Sequence, residues 1–238
     1  MKIALIGYGK MGKTIERLAL AKGHEIVLIV DLNTSQDFTI ENLRKADVAI
    51  EFSQPESAFR NVKRCLQAGV PVVVGTTGWL EQLEEAKILC NQLGGAMIQA
   101  TNYSIGVNVL FALNRHLAKM MNGQPQYDIQ IEEIHHTQKL DAPSGTAITL
   151  GDDILTEIER KTQWVNDETI NSGDLQIISK RIDPAPGTHE VRYHSDIDTL
   201  KISHEAHSRE GFAAGALTAA EWLVGKKGVF TMQDVLGF

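Results

Sequence analysis

The chain has 238 residues, a 43% apolar share and a formal net charge of −7, enough for one large domain or two modest ones with a sizeable core. The acidic balance, with no long basic block, argues against nucleic acid or an acidic membrane surface as the main partner. No apolar run approaches the roughly 20 residues a membrane-spanning helix needs, and the start Met1-Lys2-Ile3-Ala4-Leu5-Ile6-Gly7 is too short an apolar run for a secretory signal.

Lys2–Ile6 is a short apolar run expected to form a buried strand. It leads into Gly7-Tyr8-Gly9-Lys10-Met11-Gly12, a G-x-G-x-x-G, and then into a helical pattern with Ile15, Leu18 and Ala19 on one face. Glu25–Val30 is a second β-like run that ends at Asp31. Each part has a mechanical role in holding a dinucleotide. The first glycine allows the tight turn, the second lets a pyrophosphate approach the backbone, and the third lets helix pack closely on strand. The helix N-terminus faces the phosphates, and an acid about 20 residues further on can bond ribose hydroxyls. The motif lies between a strand and a helix and meets an acid at the end of the next strand. That context sets it apart from a plain glycine-rich turn.

After Asp31 the chain is polar through Gln36-Asp37. Asp47–Phe52 reads as a third strand. Ser53-Gln54-Pro55-Glu56 then looks like a helix start, with Ser53 as cap, and the helix runs to Ala68 and stops at Gly69. Val70–Val74 is a fourth strand with its proline near the start. Gly75-Thr76-Thr77-Gly78 ends it, on the rim where Gly7–Gly12 is expected. A helix over Leu80–Leu93, a strand over Ala96–Gln99 and a loop Ala100-Thr101-Asn102-Tyr103-Ser104 follow. Strand and helix alternating in this order imply a parallel, doubly wound sheet. The two cysteines, Cys65 and Cys90, fall on these helices and fit no metal spacing. They read as buried reduced thiols, which points to the cytoplasm.

The character of the chain then changes. Gly106–Met121 reads as a helix with Val109, Leu110, Leu113, Leu117 and Met120 on its apolar face. From Tyr127 the pattern alternates, and this strand delivers His135 and His136. A helix is expected over Thr146–Ile158 and a loop over Gln163–Gly173. Three strands follow, over Leu175–Ile182, Thr188–His194 and Thr199–His204, then a last helix over Glu210–Val224 and an apolar, packed tail. Sequential strands with short turns favour an antiparallel or mixed sheet. The expected fold is α/β. A Rossmann-like parallel-sheet dinucleotide domain spans 1–103, with 209–238 returning to it. An α+β substrate and oligomerisation domain with a mixed sheet spans 104–208.

The chemistry concentrates in Glu133-Ile134-His135-His136-Thr137-Gln138-Lys139-Leu140-Asp141-Ala142-Pro143-Ser144-Gly145-Thr146-Ala147. Groups that titrate near neutrality stand beside a cation and a helix start, which suits proton transfer to an anionic substrate. His135 and His136 are adjacent on an extended segment, so they point to opposite sides and differ in role. Lys139 can neutralise a carboxylate or a developing anion. Gly145 and Thr146 offer N–H groups and a hydroxyl to a second carboxylate. His135, His136 and Asp141 do not make a standard zinc spacing, and no metal is expected. The remaining histidines are taken as structural, with His204 and His207, just before Arg209, given somewhat more weight. With a dinucleotide upstream, hydride transfer with protonation is indicated.

These residues carry a resemblance. Over nearly its whole length the chain resembles the 4-hydroxy-tetrahydrodipicolinate reductase family, enzymes of the bacterial diaminopimelate route to lysine. The segment from Glu133 to Ala147 is close to that family's E-x-H-H-x-x-K-x-D-A-P-S-G-T-A signature. Gly75–Gly78, Asn102–Asn108 and Met232–Leu236 also match. The resemblance implies His135 as acid/base and Lys139 as proton donor. It implies His136, Gly145 and Thr146 as holders of the carboxylates of a small cyclic dicarboxylate. It further implies Gly7, Tyr8, Gly9, Lys10, Met11, Gly12, Asp31, Gly75, Thr76, Thr77, Ala100, Thr101, Asn102 and Tyr103 as the cofactor site, and a homotetramer assembled through the second domain's sheet. The chain also departs from the family pattern. The glycine loop is one residue shorter than in many members, the segment from Asp31 to Asp47 is short, and Leu32-Asn33 stand where some members place an arginine. A carboxylate facing the ribose without that arginine disfavours a 2′-phosphate, so of NADH and NADPH the lean is to NADH, with Lys10 still able to reach a phosphate. Another NAD(P)-dependent enzyme on the same scaffold, such as an amino-acid dehydrogenase, and a nucleotide-sensing regulator without turnover are the alternatives.

Overall fold

A computed structural model describes all 238 residues. In chain order the first elements are β1 (Lys2–Ile6), α1 (Lys10–Ala21), β2 (Glu25–Val30), α2 (Ile40–Leu43), β3 (Val48–Glu51), α3 (Pro55–Ala68), β4 (Val72–Val74), α4 (Leu83–Gln92) and β5 (Ala96–Gln99). Next come α5 (Ile105–Met121), β6 (Asp128–His135), α6 (Gly145–Glu157), β7 (Gln163–Val165), β8 (Asp174–Arg181), β9 (Thr188–His194) and β10 (Thr199–Glu205). The chain closes with α7 (Glu210–Leu223), β11 (Gly228–Phe230) and α8 (Met232–Leu236). It divides into two compact units, Met1–Ile105 with Glu210–Phe238, and Gly106–Arg209. No helix is long and apolar enough to cross a membrane.

The first unit is a parallel sheet in the order β11-β5-β4-β3-β1-β2. Its strands are short continuous apolar runs because both faces are covered. Successive residues of β1 serve opposite cores. Ile3 and Leu5 pack with Ile15 and Ala19 of α1 and Leu217 and Ala220 of α7, whereas Ala4 and Ile6 pack with Ala58, Val62 and Cys65 of α3 and Cys90 of α4. Each fully buried aliphatic side chain in these layers contributes about 1.5–3 kcal/mol. Both cysteines are free and buried.

Several local expectations are corrected. Gln54, not Ser53, caps α3. The Ser53 hydroxyl donates to Glu51 and meets Ser57 Oγ at 3.0 Å, so it is not available to the helix. Strand β4 starts after Pro71, which lacks the N–H a ladder needs, although its carbonyl accepts from Ala49 N at 2.8 Å. The helix expected from Leu80 begins as a 3-10 turn over Leu80–Gln82 before α4. The polar stretch after Asp31 holds a 3-10 turn over Ser35–Asp37 and the short α2, whose cap Thr39 accepts from Asn42 N. The apolar tail adds a sixth strand, β11, at the sheet edge and then α8, opened by a Thr231–Asp234 capping box.

The second unit is a mixed sheet in the order β10-β9-β6-β8-β7. β10, β9 and β6 are antiparallel neighbours, and β6, β8 and β7 run parallel. Ile129 and Ile131 of β6, Leu175 and Ile177 of β8, and Val191 and Tyr193 of β9 share one core with Leu150 and Ile154 of α6 and Leu110 and Leu117 of α5. Two expectations fail here. Gln163–Val165 is a strand and not loop, tied to β8 beside the buried Lys161, whose ammonium donates to Asp128 at 2.7 Å and to the Asp174 carbonyl at 2.7 Å. The buried face of α5 is rotated from the expected one. Val107, Phe111, Asn114, Ala118 and Met121 turn inward with Leu110 and Leu117, whereas Val109, Leu113 and Met120 are exposed. Asn114 on this face donates its amide to the Leu150 carbonyl at 3.0 Å inside the core, although its Oδ1 is buried without a partner.

Candidate active site

In the first unit the loops after β1, β2, β4 and β5 lie at the carboxyl ends of parallel strands, where open α/β sheets bind ligands. Gly7 has φ +94°, and a Cβ there would lie 2.0 Å from the Phe52 carbonyl oxygen. At Gly12 a Cβ would lie 2.3 Å from the Gly7 carbonyl oxygen, but at Gly9 it would meet nothing within 4 Å. Two of the glycines thus hold the turn closed and the middle one leaves it open. Gly9 is also the N-cap of α1 and makes no side-chain cap bond, and Lys10 and Met11 stand in the first helical turn. A phosphate group fits this cradle. The Tyr8 hydroxyl donates to Glu16.

Asp31 Oδ1 accepts from Asn33 N at 2.7 Å, Thr34 N at 3.0 Å and Thr34 Oγ1 at 3.1 Å. The Asn33 bond leads the causes that lower its pKa. Gly75 presses on Phe52, whose ring would lie 2.1 Å from a Cβ. Thr76 Oγ1 accepts from Ser53 N at 2.8 Å, and Thr77 is exposed. Beyond β5, Ala100, Thr101 and Asn102 lie at the rim, with Asn102 Oδ1 accepting from Ser104 N at 2.8 Å. Tyr103 is buried, and its hydroxyl donates to the Val74 carbonyl at 2.9 Å. Any part Tyr103 plays at the rim falls to its main chain.

In the second unit the core-facing positions of β6 run Ile129, Ile131, Glu133, His135. The alternation holds while the chemistry changes from apolar to ionisable in the last two. Glu133 is fully buried. One of its oxygens takes His135 Nδ1, and the other lies 2.9 Å from Arg181 Nη1. Burial alone would raise its pKa, but His135, Ser179 and Arg181 outweigh that and hold it at about 2. Arg181 also donates from Nη2 to the Asp141 carbonyl at 2.6 Å, and both Asp141 carboxylate oxygens lie 2.8 Å from Lys139 Nζ. An unbroken set of contacts therefore runs from His135 through Glu133, Arg181 and Asp141 to Lys139.

The register of β9 adds His189, directly opposite Glu133. Its ring meets His135 edge-on at 5.0 Å, and its Nε2 lies 3.0 Å from Ser144 Oγ. Burial, with His135 second, lowers its pKa to about 3. Ser144 is the N-cap of α6 and accepts from Ala147 N, a bond worth about 1 kcal/mol. Gly145 and Thr146 follow in the first turn, and beside Gly145 a Cβ would meet nothing within 4 Å, so this helix start is open. His136 points away from His135, with its Nε2 3.3 Å from Arg209 Nη2. The structure thus links His135, Lys139 and the Gly145–Thr146 helix start, and sets His136 on the other side.

Glu133, Arg181 and His189 lacked roles in the sequence reading. Glu133 had a legible signal, since two residues before His135 on a strand is the same face. Arg181 and His189 had none, being brought in by strand pairing. Glu133, His135 and His189 offer ligand atoms within 4.8 Å of one another, close enough to hold a cation. However, Glu133 and His135 are hydrogen-bonded directly and Arg181 already neutralises the carboxylate. We therefore read the trio as an acid–base cluster.

Comparison with known proteins gives consistent matches. Residues 1–103 match the family described as dihydrodipicolinate reductase, N-terminus, and residues 106–236 match dihydrodipicolinate reductase, C-terminus. A 4-hydroxy-tetrahydrodipicolinate reductase of Christiangramia forsetii is 48% identical, covering 99% of this chain and 98% of its own length. One from Caldanaerobacter subterraneus is 36% identical, covering 96% and 94%. Among solved structures, the dipicolinate-bound dihydrodipicolinate reductase of Paenisporosarcina sp. TG-14 superposes with a TM-score of 0.77 at 25% identity, covering 98% of each chain.

Proposed function

The chain belongs to the dihydrodipicolinate reductase family, and from that premise we propose that it reduces 4-hydroxy-tetrahydrodipicolinate to tetrahydrodipicolinate with NAD(P)H, in the diaminopimelate route of lysine biosynthesis. The two compounds differ by a hydroxyl group. The substrate therefore takes up a hydride and a proton and loses water. A nicotinamide dinucleotide supplies the hydride when bound, and the chain's own groups do the rest.

In this reading Gly7–Gly12 receives the pyrophosphate. Asp31, with Oδ1 engaged by its own turn, offers Oδ2 to the ribose, and Gly75–Thr77 and Ala100–Tyr103 complete the rim. The Asp31 carboxylate and the lack of an arginine after it favour NADH at least as strongly as NADPH. His135 and Lys139 handle the proton and Gly145 and Thr146 hold one carboxylate, whereas His136, beside Arg209 on the opposite side of the strand end, would take the other. The observation that carries the reading is the His189 bridge. It touches His135 on one side and bonds the cap of the open α6 start on the other, so the proton-handling group and the anion-binding backbone form one rigid set. We place the protein in the cytoplasm, where its two unpaired thiols stay reduced. We also infer a homotetramer formed through the outer face of the five-stranded sheet.

The test is a cofactor-oxidation assay with the freshly generated substrate, a cyclic imine, and each cofactor. Oxidation should require the imine, with kcat/KM for NADH equal to or above that for NADPH. A strong NADPH preference overturns the cofactor assignment. Cofactor binding with no turnover of the imine overturns the function and points to a nucleotide sensor.

A further inference from the structure

Two histidine nitrogens and one carboxylate at the end of β6 are arranged more specifically than proton transfer by His135 and Lys139 alone requires. Glu133 is a carboxylate with no exposed surface, on the last core-facing position before His135. Burying a carboxylate is costly unless it is paired. Here His135 Nδ1 bonds one oxygen, and the Arg181 guanidinium stands 2.9 Å from the other as an ion pair without a hydrogen bond of its own. A carboxylate on Nδ1 orients an imidazole and sets its tautomer, which leaves the opposite nitrogen to work.

The surroundings of that opposite nitrogen fit. At Gly187 a Cβ would lie 3.0 Å from His135 Nε2, and φ there is +155°, a region essentially reserved for glycine. The absence of a side chain leaves space beside Nε2. Arg181 has a second use, because its other nitrogen holds the Asp141 carbonyl, and the Asp141 carboxylate holds Lys139.

We propose that Glu133 is a positioning residue that holds His135 in the Nδ1–H form with Nε2 free for the substrate, and that Arg181 ties this pair to the Asp141–Lys139 segment. One guanidinium then aligns both proton-handling side chains. The inference rests on the proposed reductase function and deepens it by naming what orients its acid–base group.

The experiment combines kinetics with nitrogen NMR on histidine-labelled full-length protein, using Glu133→Gln. That substitution keeps the shape and removes the charge. We expect KM within about threefold of wild type and kcat lowered on the order of 10²-fold. The neutral His135 ring of the free wild-type protein should carry its proton on Nδ1, and that of the variant should show a share of Nε2–H. A purely structural Glu133 would change melting temperature without moving the tautomer. Wild-type kcat in the variant, or an Nε2–H tautomer in the wild type, overturns the proposal. If Glu133→Gln does not fold, Arg181→Gln replaces it. A similar loss of kcat with the Nδ1–H tautomer retained supports the proposal, because Glu133 still holds the ring, and an unchanged kcat or a shifted tautomer overturns it. Because the tautomer is read without substrate, failure of the wild type to turn over the imine would reject the function while leaving this measurement to decide the positioning role.

Discussion

Lys139 lies 2.8 Å from both oxygens of Asp141, so its charge is already matched within the loop. In the proposed reaction, a substrate group that meets Lys139 has to share or replace that partner. Lys139→Ala should lower kcat on the order of 10²–10⁴-fold if the ammonium donates the proton. A change in KM alone would make it a binding group instead. His189 makes a prediction of another kind. Its folded pKa of about 3 lies below the ordinary 6.5, so between those values the unfolded chain binds a proton that the folded chain refuses. The neutral ring's contribution is complete above pH 6.5 and is lost as pH falls towards 3, at about 1.4 kcal/mol per unit. Between pH 6.5 and about 5, before carboxylates titrate, the melting temperature should fall less steeply in His189→Gln than in wild type, and equal slopes would refute the assignment. His135 and Lys139 were legible in the sequence because they share one short segment with a helix start. Arg181 and His189 were not, since neither lies near that segment in the chain.

At the scale of elements, the βα turn after β1 separates folding from binding within one motif. A Cβ at Gly12 collides with the Gly7 carbonyl at 2.3 Å, whereas a Cβ at Gly9 meets nothing. Gly12→Ala should therefore lower the melting temperature and with it all activity. Gly9→Ala should melt like wild type yet bind NADH more weakly, because its methyl occupies the space where a phosphate approaches the backbone. Tight NADH binding by Gly9→Ala in a thermal-shift or calorimetric titration would remove the phosphate from this turn. The turn could be read from sequence because its demands are local. The face of α5 could not, because Val109, Leu113 and Met120 are as apolar as the residues that turn inward. The packed core separates them, with Val107, Phe111 and Met121 inside it and Asn114 donating to the Leu150 carbonyl.

For the whole molecule, a chain of net charge −7 has to gather positive charge where a dicarboxylate binds. Lys139, Arg181 and Arg209 all lie on contacts with the β6 end or the loop after it. The outer face of the five-stranded sheet is polar, with Gln130 donating to Gln176 at 2.8 Å and Arg192 and Lys201 converging on Glu190. If that face forms the tetramer, light scattering should report four copies for the wild type. Gln176→Arg, which adds a cation to the cross-strand row that runs through Gln130 to Arg192 and Lys201, should give a smaller species with an unchanged far-ultraviolet circular dichroism spectrum. A monomeric wild type would reject the assembly. The sequence by itself determined the parallel α/β architecture, the glycine turn with its acid, and the His-Lys segment before a capped helix, because each is written in periodicity or backbone demands within a short window. Only the tertiary structure decided that β6 pairs with β8 on one side and β9 on the other, which delivers Arg181 and His189 to Glu133 and His135. Alternation along a strand tells which face a side chain takes, but the backbone ladder is chemically the same for every neighbour, so the choice of neighbour comes from how the whole core packs.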